Sequence, residues 1–401
     1  MKRKIAWILT LLLLGTLLVG CGEEEVELKT VRLGLLEPLS GEYAQQGNWE
    51  RLGVEYARTV RQDAIIAGEH RVVELVEKDT ESSITGTVKM ARELCEEDVS
   101  LVLGTYGSTE CNVAAPIFLE KGLSAIGITC DFPTVTLNNP NYYRVCYLDS
   151  FQAKLLADYA YEYGARVAYC LAQSDREYDR NMCDYFLTEF QALGGTVITT
   201  VTTILYNTYT TNLNNFADYL YGAVNNKADV LFSPIPVKKG AQLIGECRAS
   251  QVRFFLVGDD SWDTAAIADA SAGGYIHVAC ASVFSEKRND ESAAFARGFR
   301  DWLESDPRRI EANGGSSDIN PASALAYDAY MVAIDALEAA GTTDSTAVGA
   351  AVAGVSLNGV TGDFSFDLNG DAIRSGLFMN AADSISGKME YEKLQMPRFG
   401  G

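Results

Sequence analysis

Residues 31–60 have the sequence VRLGLLEPLSGEYAQQGNWERLGVEYARTV, in which a β-rich apolar run precedes a helical pattern. Residues 31–36 predict a strand, and Trp49, Leu52, Tyr56 and Val60 then recur at helical spacing. Because residues 72–76 again predict a strand, this part of the chain has the order strand, helix, strand.

The same alternation continues through two consecutive series. The first continues with a helix over 84–96, a strand over 101–104, a helix over 109–121 and a strand over 124–128. The second has a helix from about 151, strands over 167–171, 197–201, 229–232 and 254–257, intervening helices over 178–193, 212–224 and 238–249, and a helix after 263. Such alternation predicts parallel strands joined by right-handed helical crossovers. Two series predict an α/β fold with two similar doubly wound, Rossmann-like lobes.

The last third of the chain has a different pattern. Residues 282–354 are strongly helical, with apolar stripes that include Phe295 and Tyr330. Residues 364–367 and 376–380 are then expected to pair as strands around the turn at 369–370.

The N-terminus has the features of an export signal. Basic residues 2–4 precede an uncharged apolar run, and small residues lead directly into Cys21. A membrane span would need about 20 apolar residues with different flanks. The segment resembles a bacterial lipoprotein signal over residues 1–20, with Cys21 lipidated, and residues 21–30 then form an acidic linker. An ordinary signal peptide with an incidental cysteine and an uncleaved membrane helix are the alternatives.

Size and charge limit the possible functions. Removing the signal leaves about 380 of 401 residues, enough for two or three domains. Loss of three basic residues changes the net charge from −21 to about −24. Such an acidic chain is a poor partner for nucleic acid or an anionic bilayer, since both require a basic face.

The cysteines and histidines offer little for metal binding or catalysis. Eight cysteines besides Cys21 lack zinc spacing, and both disulfides and buried free thiols are compatible with them, with free thiols favoured. The two histidines, His70 and His277, are expected to be structural, which leaves no histidine base for catalysis. Residues 367–371 lack the glutamate of a calcium loop, and residues 104–107 lack the lysine of a phosphate loop. No cofactor and no metal are expected.

Three loops that follow predicted strands carry a resemblance to a known family. They are LEPLSG at 36–41, GTYGST at 104–109 and VGDDSWD at 257–263, and GVTG at 359–362 with FDLNGD at 366–371 adds a closing hairpin. Over about 31–383 the chain resembles the type I periplasmic binding proteins, above all the branched-chain amino-acid-binding proteins of ABC importers.

The resemblance implies two lobes joined by a three-strand hinge, with the ligand in the cleft between them. The three crossings would lie near Tyr147, Ala281 and Gly354. Lobe 1 would then comprise residues 31–147 and 282–354, and lobe 2 residues 148–281 and 355–401. Open α/β sheets independently favour a ligand site at the carboxyl ends of the strands.

The resemblance also assigns roles to individual residues. Ser108 and Thr129 match positions that hold a ligand carboxylate, Ser108 with the help of a helix N-terminus; the alternative for Ser108 is a plain N-cap. Asp260 matches the carboxylate that pairs with the ligand ammonium, although it is alternatively a solvated loop residue. Tyr178 matches an aromatic cleft residue, or it packs on its own lobe.

The side-chain end of the site departs from the family. Tyr106 and Gln46 occupy positions near the ligand side chain, Asp131 replaces the usual Thr, Ser or Asn, and Pro236 replaces an aromatic residue. These departures indicate a ligand more polar or cationic than a plain aliphatic amino acid. Unless Asp131 points away or stays protonated, it would repel a ligand carboxylate beside Ser108.

The predicted function is that of a lipid-anchored, extracytoplasmic solute-binding protein. It would capture an amino acid or related amine, close around it and deliver it to the permease of an ABC importer. A ligand-sensing receptor subunit that signals to a membrane partner is the alternative. An exported α/β enzyme is disfavoured, because the chain lacks a nucleophile elbow, a metal cluster and a usable histidine base.

Overall fold

A computed structural model describes residues 29–198, 206–273, 276–383 and 388–397. The first lobe is built on a six-stranded sheet in the order β2-β3-β1-β4-β5-β6. Its strands are β1 (Thr30–Glu37), β2 (Asp63–Ile66), β3 (Glu69–Asp79), β4 (Leu101–Gly104), β5 (Ala125–Gly127) and β6 (Tyr142–Arg144). All neighbours are parallel except β2, which forms an antiparallel hairpin with β3.

The second lobe is built on an eight-stranded sheet in the order β17-β16-β12-β11-β10-β7-β8, with β9 also paired to β7. Its strands are β7 (Val167–Gln173), β8 (Thr196–Val197), β9 (Asn207–Tyr209), β10 (Val230–Phe232), β11 (Phe255–Val257), β12 (Val278–Ser282), β16 (Leu377–Asp383) and β17 (Lys388–Gln395). Strands β7–β12 pair in parallel, and β16 and β17 are antiparallel additions.

Helices connect the parallel strands. They are α1 (Ala44–Val60), α2 (Ile84–Leu94), α3 (Ser108–Glu120), α4 (Thr134–Leu137), α5 (Asp149–Glu162), α6 (Glu177–Ala192), α7 (Ala217–Asn225), α8 (Val237–Ala249), α9 (Ala265–Ser271), α10 (Asp290–Glu304), α11 (Pro307–Ala312), α12 (Pro321–Ala340) and α13 (Ser345–Val352). The α/β class with two sheets of mainly parallel strands confirms the fold expected from the sequence. The helix predicted over 212–224 begins only at Ala217.

Helix α12 joins the late helical region to the first lobe. Asn320 caps it by accepting a hydrogen bond from the Ala322 amide, and its long apolar face packs on α1. The backbones approach so closely that a Cβ on Gly53 would lie 2.1 Å from the Ser323 carbonyl oxygen. Glycine at 53 therefore permits this helix pair.

The C-terminal strands pair differently from the prediction, because some of them form a small third sheet. It contains β13 (Ser356–Gly359), β14 (Gly362–Phe366) and β15 (Ala372–Arg374), so the turn at 369–370 joins β14 to β15 and not to residues 376–380. Residues 377–380 instead begin β16, where Phe378 pairs with Ser282 of β12. The prediction was wrong because residues 372–374 lack the continuous apolar pattern that predicts a strand.

This third sheet contacts the first lobe. The buried carboxylate of Asp328 on α12 accepts hydrogen bonds from the amides of Val360 and Thr361, each at 2.9 Å. Asp371, beyond the turn, accepts from the guanidinium of Arg144 at 2.6 Å. After the third sheet, the chain joins the second sheet at Leu377, the start of β16.

The thiols of the eight cysteines in the described part of the chain are free, and all except the half-buried Cys95 are buried. No helix of the described residues is long and apolar enough to cross a membrane. The predicted signal peptide, Cys21 and linker residues 22–28 lie outside the described residues.

Candidate functional site

The candidate site lies at the carboxyl ends of strands from both lobes. In the first lobe, Tyr106 and Ser108 follow β4, and Asp131 follows β5. In the second lobe, Tyr178 lies in the first turn of α6 after β7, and Asp260 follows β11. Parallel strands bring these loops to one edge of each sheet, where ligands of doubly wound folds bind.

Ser108 is the first residue of α3 but does not cap it. The N-cap is Gly107, with φ of 94°, a conformation that favours glycine. The Ser108 hydroxyl lies 3.4 Å from Oδ1 of Asp131 and accepts a hydrogen bond from the Phe132 amide at 3.2 Å. The capping alternative for Ser108 is therefore wrong, and the Asp131 carboxylate faces the end of α3 and does not point away from it.

Asp260 is held by a chain of hydrogen bonds from the second lobe and the adjoining crossing. The Tyr147 hydroxyl donates to Oδ2 of Asp260 at 2.7 Å, and the Gln152 amide donates to the Tyr147 oxygen, also at 2.7 Å. Burial raises the pKa of Asp260, the hydrogen bond from Tyr147 lowers it, and the charge of Asp131 raises it. Asp260 is therefore not a freely solvated loop carboxylate.

Two further aspartates surround Asp260. The buried Asp259 accepts a hydrogen bond from the Ser261 amide, and burial followed by the charge of Asp260 raises the pKa of Asp259 to about 8. Asp149, the first residue of α5, is 2% exposed. Its pKa is raised well above the ordinary value by burial, then by Asp131 and Asp260. The site therefore brings together carboxyl groups from both lobes.

The two tyrosines lie within this acidic group. Burial, followed by the charges of Asp259 and Asp260, raises the pKa of Tyr178 well above its ordinary value. Burial also raises the pKa of Tyr106, with Glu50, Asp131 and Asp260 adding to the effect. The pKa of Tyr106 thus responds to charges from both lobes. Tyr178 packs against the hydrophobic core and is influenced by Asp259 and Asp260.

Thr129 and Gln46 lie beside a second acidic pair. The Thr129 hydroxyl donates a hydrogen bond to Glu50 of α1. This hydroxyl was expected to donate to a ligand carboxylate, but its proton is already used by Glu50. Glu37, at the end of β1, accepts from the Tyr106 amide at 2.9 Å. Gln46 lies one turn before Glu50 on α1, and its buried Oε1 has no hydrogen-bond partner among the described residues.

Glu37 and Glu50 form a buried carboxyl pair. Burial raises the pKa of Glu50 to about 7, against the effects of Thr129 and Glu37, and raises that of Glu37 well above its ordinary value, with Glu50 as the next cause. A shared proton accounts for two carboxyl groups in contact at such a place. Sequence reasoning missed this pair, as well as Tyr147, Asp149 and Gln152, because their grouping depends on long-range packing. The acidic residue at 37, directly after a buried strand, was the one available signal.

Other features of the described residues do not form this site. No group of three or more His, Cys, Asp or Glu among them is arranged to hold a metal ion. A cavity of about 850 Å³ is lined by Arg248, Arg253 and Ile276, among others. It lies near the starts of β11 and β12, opposite the carboxyl ends that carry Asp260.

Comparison with known families gives one match over most of the chain. Residues 30–384 match the model of a family described as periplasmic binding protein. No curated protein matches the chain significantly.

Several solved structures share the architecture. The leucine-binding protein LivK of Thermotoga maritima has a TM-score of 0.74 at 23% identity, over 92% of this chain and 99% of that one. LivJ of Streptococcus pneumoniae is a branched-chain amino acid transporter substrate-binding protein in complex with isoleucine. It has a TM-score of 0.73 at 20% identity, over 92% of this chain and 100% of that one. An ABC transporter solute-binding protein from R. palustris in complex with benzoate has a TM-score of 0.70 at 20% identity, over 92% of this chain and 97% of that one. At these identities the likeness establishes the fold.

Proposed function

The chain belongs to the periplasmic binding protein family, and from this premise we propose that it captures a small amine-bearing ligand, such as an amino acid, and delivers it to an ABC importer. The family resemblance expected from the strand-end loops is confirmed. The family is one of extracytoplasmic solute-binding proteins and not of enzymes, which supports the proposed capture of a small ligand.

The observation that carries the proposal is the position of Asp260. Its carboxylate is oriented by Tyr147 and lies among Asp131, Asp149 and Tyr178, in surroundings that burial makes costly for a negative charge. A ligand ammonium would relieve that cost, because a charge-assisted hydrogen bond is strongest where water is excluded. An amine is therefore the ligand group that this part of the cleft suits best.

The solved structures with this fold bind both amino acids and an aromatic acid, so the choice between these ligand classes rests on the charges of the cleft. The structures from T. maritima and S. pneumoniae are of proteins for leucine and branched-chain amino acids, whereas the R. palustris protein is in complex with benzoate. A benzoate-like anion without an amine would add negative charge beside Asp131 and Asp260. Repulsion between like charges in a desolvated site disfavours such a ligand.

A thermal-shift screen of protein that begins after Cys21 tests the ligand class. The panel contains α-amino acids, amides, diamines and benzoates at about 100 times the expected dissociation constant, where binding stabilises the native state by about 2.7 kcal/mol. We expect amine-bearing ligands alone to raise the melting temperature. A shift with benzoates and none with amines would overturn the proposal.

Substitution of Asp260 tests the amine contact directly. Asp260→Asn is expected to weaken binding of the stabilising amine by about 30-fold or more, since truncating a buried charge pair costs at least about 2 kcal/mol. The control is Asp269→Asn on the exposed side of α9, which removes the same charge outside the site. Equal affinities of the two variants in calorimetric titration would contradict the assigned role.

We further propose that lipidation at Cys21 anchors the protein to the membrane. The sequence pattern of residues 2–21 supports this proposal. In cells, Cys21→Ala is expected to move the protein from the membrane fraction to the soluble extracytoplasmic fraction. Retention of the variant in the membrane fraction would exclude a lipid anchor at this position.

A further inference from the structure

Two carboxyl groups meet where the lobes face each other. Asp131 lies in the loop after β5 of the first lobe, and Asp149 begins α5 just after the first crossing. The charge of Asp131 contributes to the raised pKa of the buried Asp149, and the Asp131 carboxylate is itself placed at the end of α3 by the Ser108 hydroxyl. Two ionised carboxylates in such a buried place repel each other, so the pair favours a bound cation.

The first turn of α5 also presents unsatisfied acceptors. Oδ1 of Asp149 and Oε1 of Gln152 have no hydrogen-bond partner among the described residues, although the two side chains are only 2% and 1% exposed. Residues three apart on a helix share a face. Gln152 already donates its amide to Tyr147, which leaves its oxygen free to accept. Buried acceptors without donors are costly unless a ligand supplies the donors.

Among the described residues, no hydrogen bond or ion pair joins Asp131 or Asp149 to a basic side chain. Arg176, which is influenced by the charge of Asp259, already donates from its guanidinium to Asp179 at 2.8 Å. A single ligand ammonium on Asp260 would leave the pair Asp131 and Asp149 uncompensated. An ammonium has three donors, enough for the two unsatisfied oxygens of Asp149 and Gln152 and a charged contact with Asp131.

We propose that the ligand of this cleft carries two cationic groups, one bound to Asp260 and the other between Asp131 and Asp149. The proposal rests on the proposed function and specifies its ligand: an amino acid with a basic side chain, or a diamine. An organic cation is favoured over a metal ion, since no described group of three His, Cys, Asp or Glu is arranged to hold one.

The test compares ligands that differ in one charge. Titration calorimetry of protein beginning after Cys21 uses L-ornithine, L-lysine and L-arginine, with L-norleucine as the match without the second cation and cadaverine as lysine without the carboxylate. We expect at least one basic amino acid to bind at least tenfold more tightly than L-norleucine. Tight binding of cadaverine would support the two-cation site without a need for the carboxylate.

Variants assign the selectivity to the proposed residues. Asp149→Asn is expected to weaken binding of the basic amino acid at least tenfold and to leave L-norleucine within about twofold. Asp131→Asn, on the opposite lobe, should give the same selective loss, and it serves as the test if Asp149→Asn does not fold. The control is Asp218→Asn, which removes the same charge from the exposed face of α7 and should alter neither ligand.

The two proposals fail in different ways. If L-norleucine binds as tightly as every basic amino acid, or if Asp149→Asn weakens both ligands equally, the second cationic site is wrong even though the amine site stands. If Asp260→Asn alters the binding of none of these ligands, the amine contact of the proposed function is itself wrong.

Discussion

The buried pair Glu37 and Glu50 makes a sharp prediction about stability and pH. Glu50 has no exposed surface, and burial raises its pKa from the ordinary value of 4.5 to about 7 in the folded protein. Below pH 4.5 the folded and unfolded chains both hold this proton. As the pH rises from there to 7, the unfolded chain releases it first, so stability falls with rising pH.

The size of the effect follows from the two pKa values. The difference between 4.5 and about 7 corresponds to about 3 kcal/mol, at roughly 1.4 kcal/mol per pH unit. Most of this loss, about 2–3 kcal/mol, is expected between pH 5 and pH 8. Glu50→Gln cannot ionise and should lack this part of the loss. Asp259, whose pKa is about 8, contributes in the same direction to both proteins, so the difference between them isolates the pair.

The assay is urea denaturation of ligand-free protein at pH 5, 6, 7 and 8, followed by circular dichroism. The unfolding free energy of the wild type should fall more steeply than that of Glu50→Gln, by about 2–3 kcal/mol over this range. Glu304→Gln, on the exposed end of α10, is the control and should follow the wild type. Parallel profiles for wild type and Glu50→Gln would refute a proton held by this pair.

Three further predictions concern packing. Asp328→Ala leaves two buried backbone amides without an acceptor and should destabilise the protein by about 3 kcal/mol, seen as a lower melting temperature; an unchanged value would contradict the role of this carboxylate in holding the third sheet. Gly240→Ala brings a Cβ to 2.7 Å from the Trp262 ring and should cost about 1–3 kcal/mol, whereas Gly245→Ala in the same helix meets no atom within 4 Å and should be neutral or stabilising; equal effects in denaturant titrations would refute the close packing. In protein beginning after Cys21, all eight thiols should react with a thiol reagent after unfolding without reductant. In the native state Cys95 should react slowly and the seven buried thiols should not react. Fewer than eight reactive thiols after unfolding would reveal a disulfide.

Local patterns in the sequence were enough for most of the fold. The strand over 101–104 and the helix over 238–249 lie within one residue of their predicted bounds, because each has a continuous apolar or periodic pattern. Strand β2 was missed because its hairpin turns through Ala67 and Gly68, both with positive φ. Alanine is not a usual signal for such a turn.

The site could be predicted only in part, for a related reason. Tyr106, Ser108, Asp131 and Asp260 follow strands, and the shared edge of parallel strands brings such residues together without knowledge of side-chain contacts. The contact of Asp149 with Asp131 depends instead on how the two lobes face each other. The sequence pattern carries no information about that orientation. From the sequence alone, Asp149 at the start of a helix is explained equally well by its favourable interaction with the helix dipole.

If the ligand is cationic as proposed, the acidic group would also connect ligand binding with closure of the lobes. Bringing Asp131 of the first lobe against Asp149 and Asp260 of the second removes water from like charges, and burial raises the pKa of the latter two accordingly. Closing without a ligand therefore requires either protonation or a cost in free energy. A cationic ligand removes this cost only in the closed state, and such a difference in affinity is what shifts the equilibrium between open and closed forms. The same carboxylates would thus select the ligand and hold the empty protein open for it.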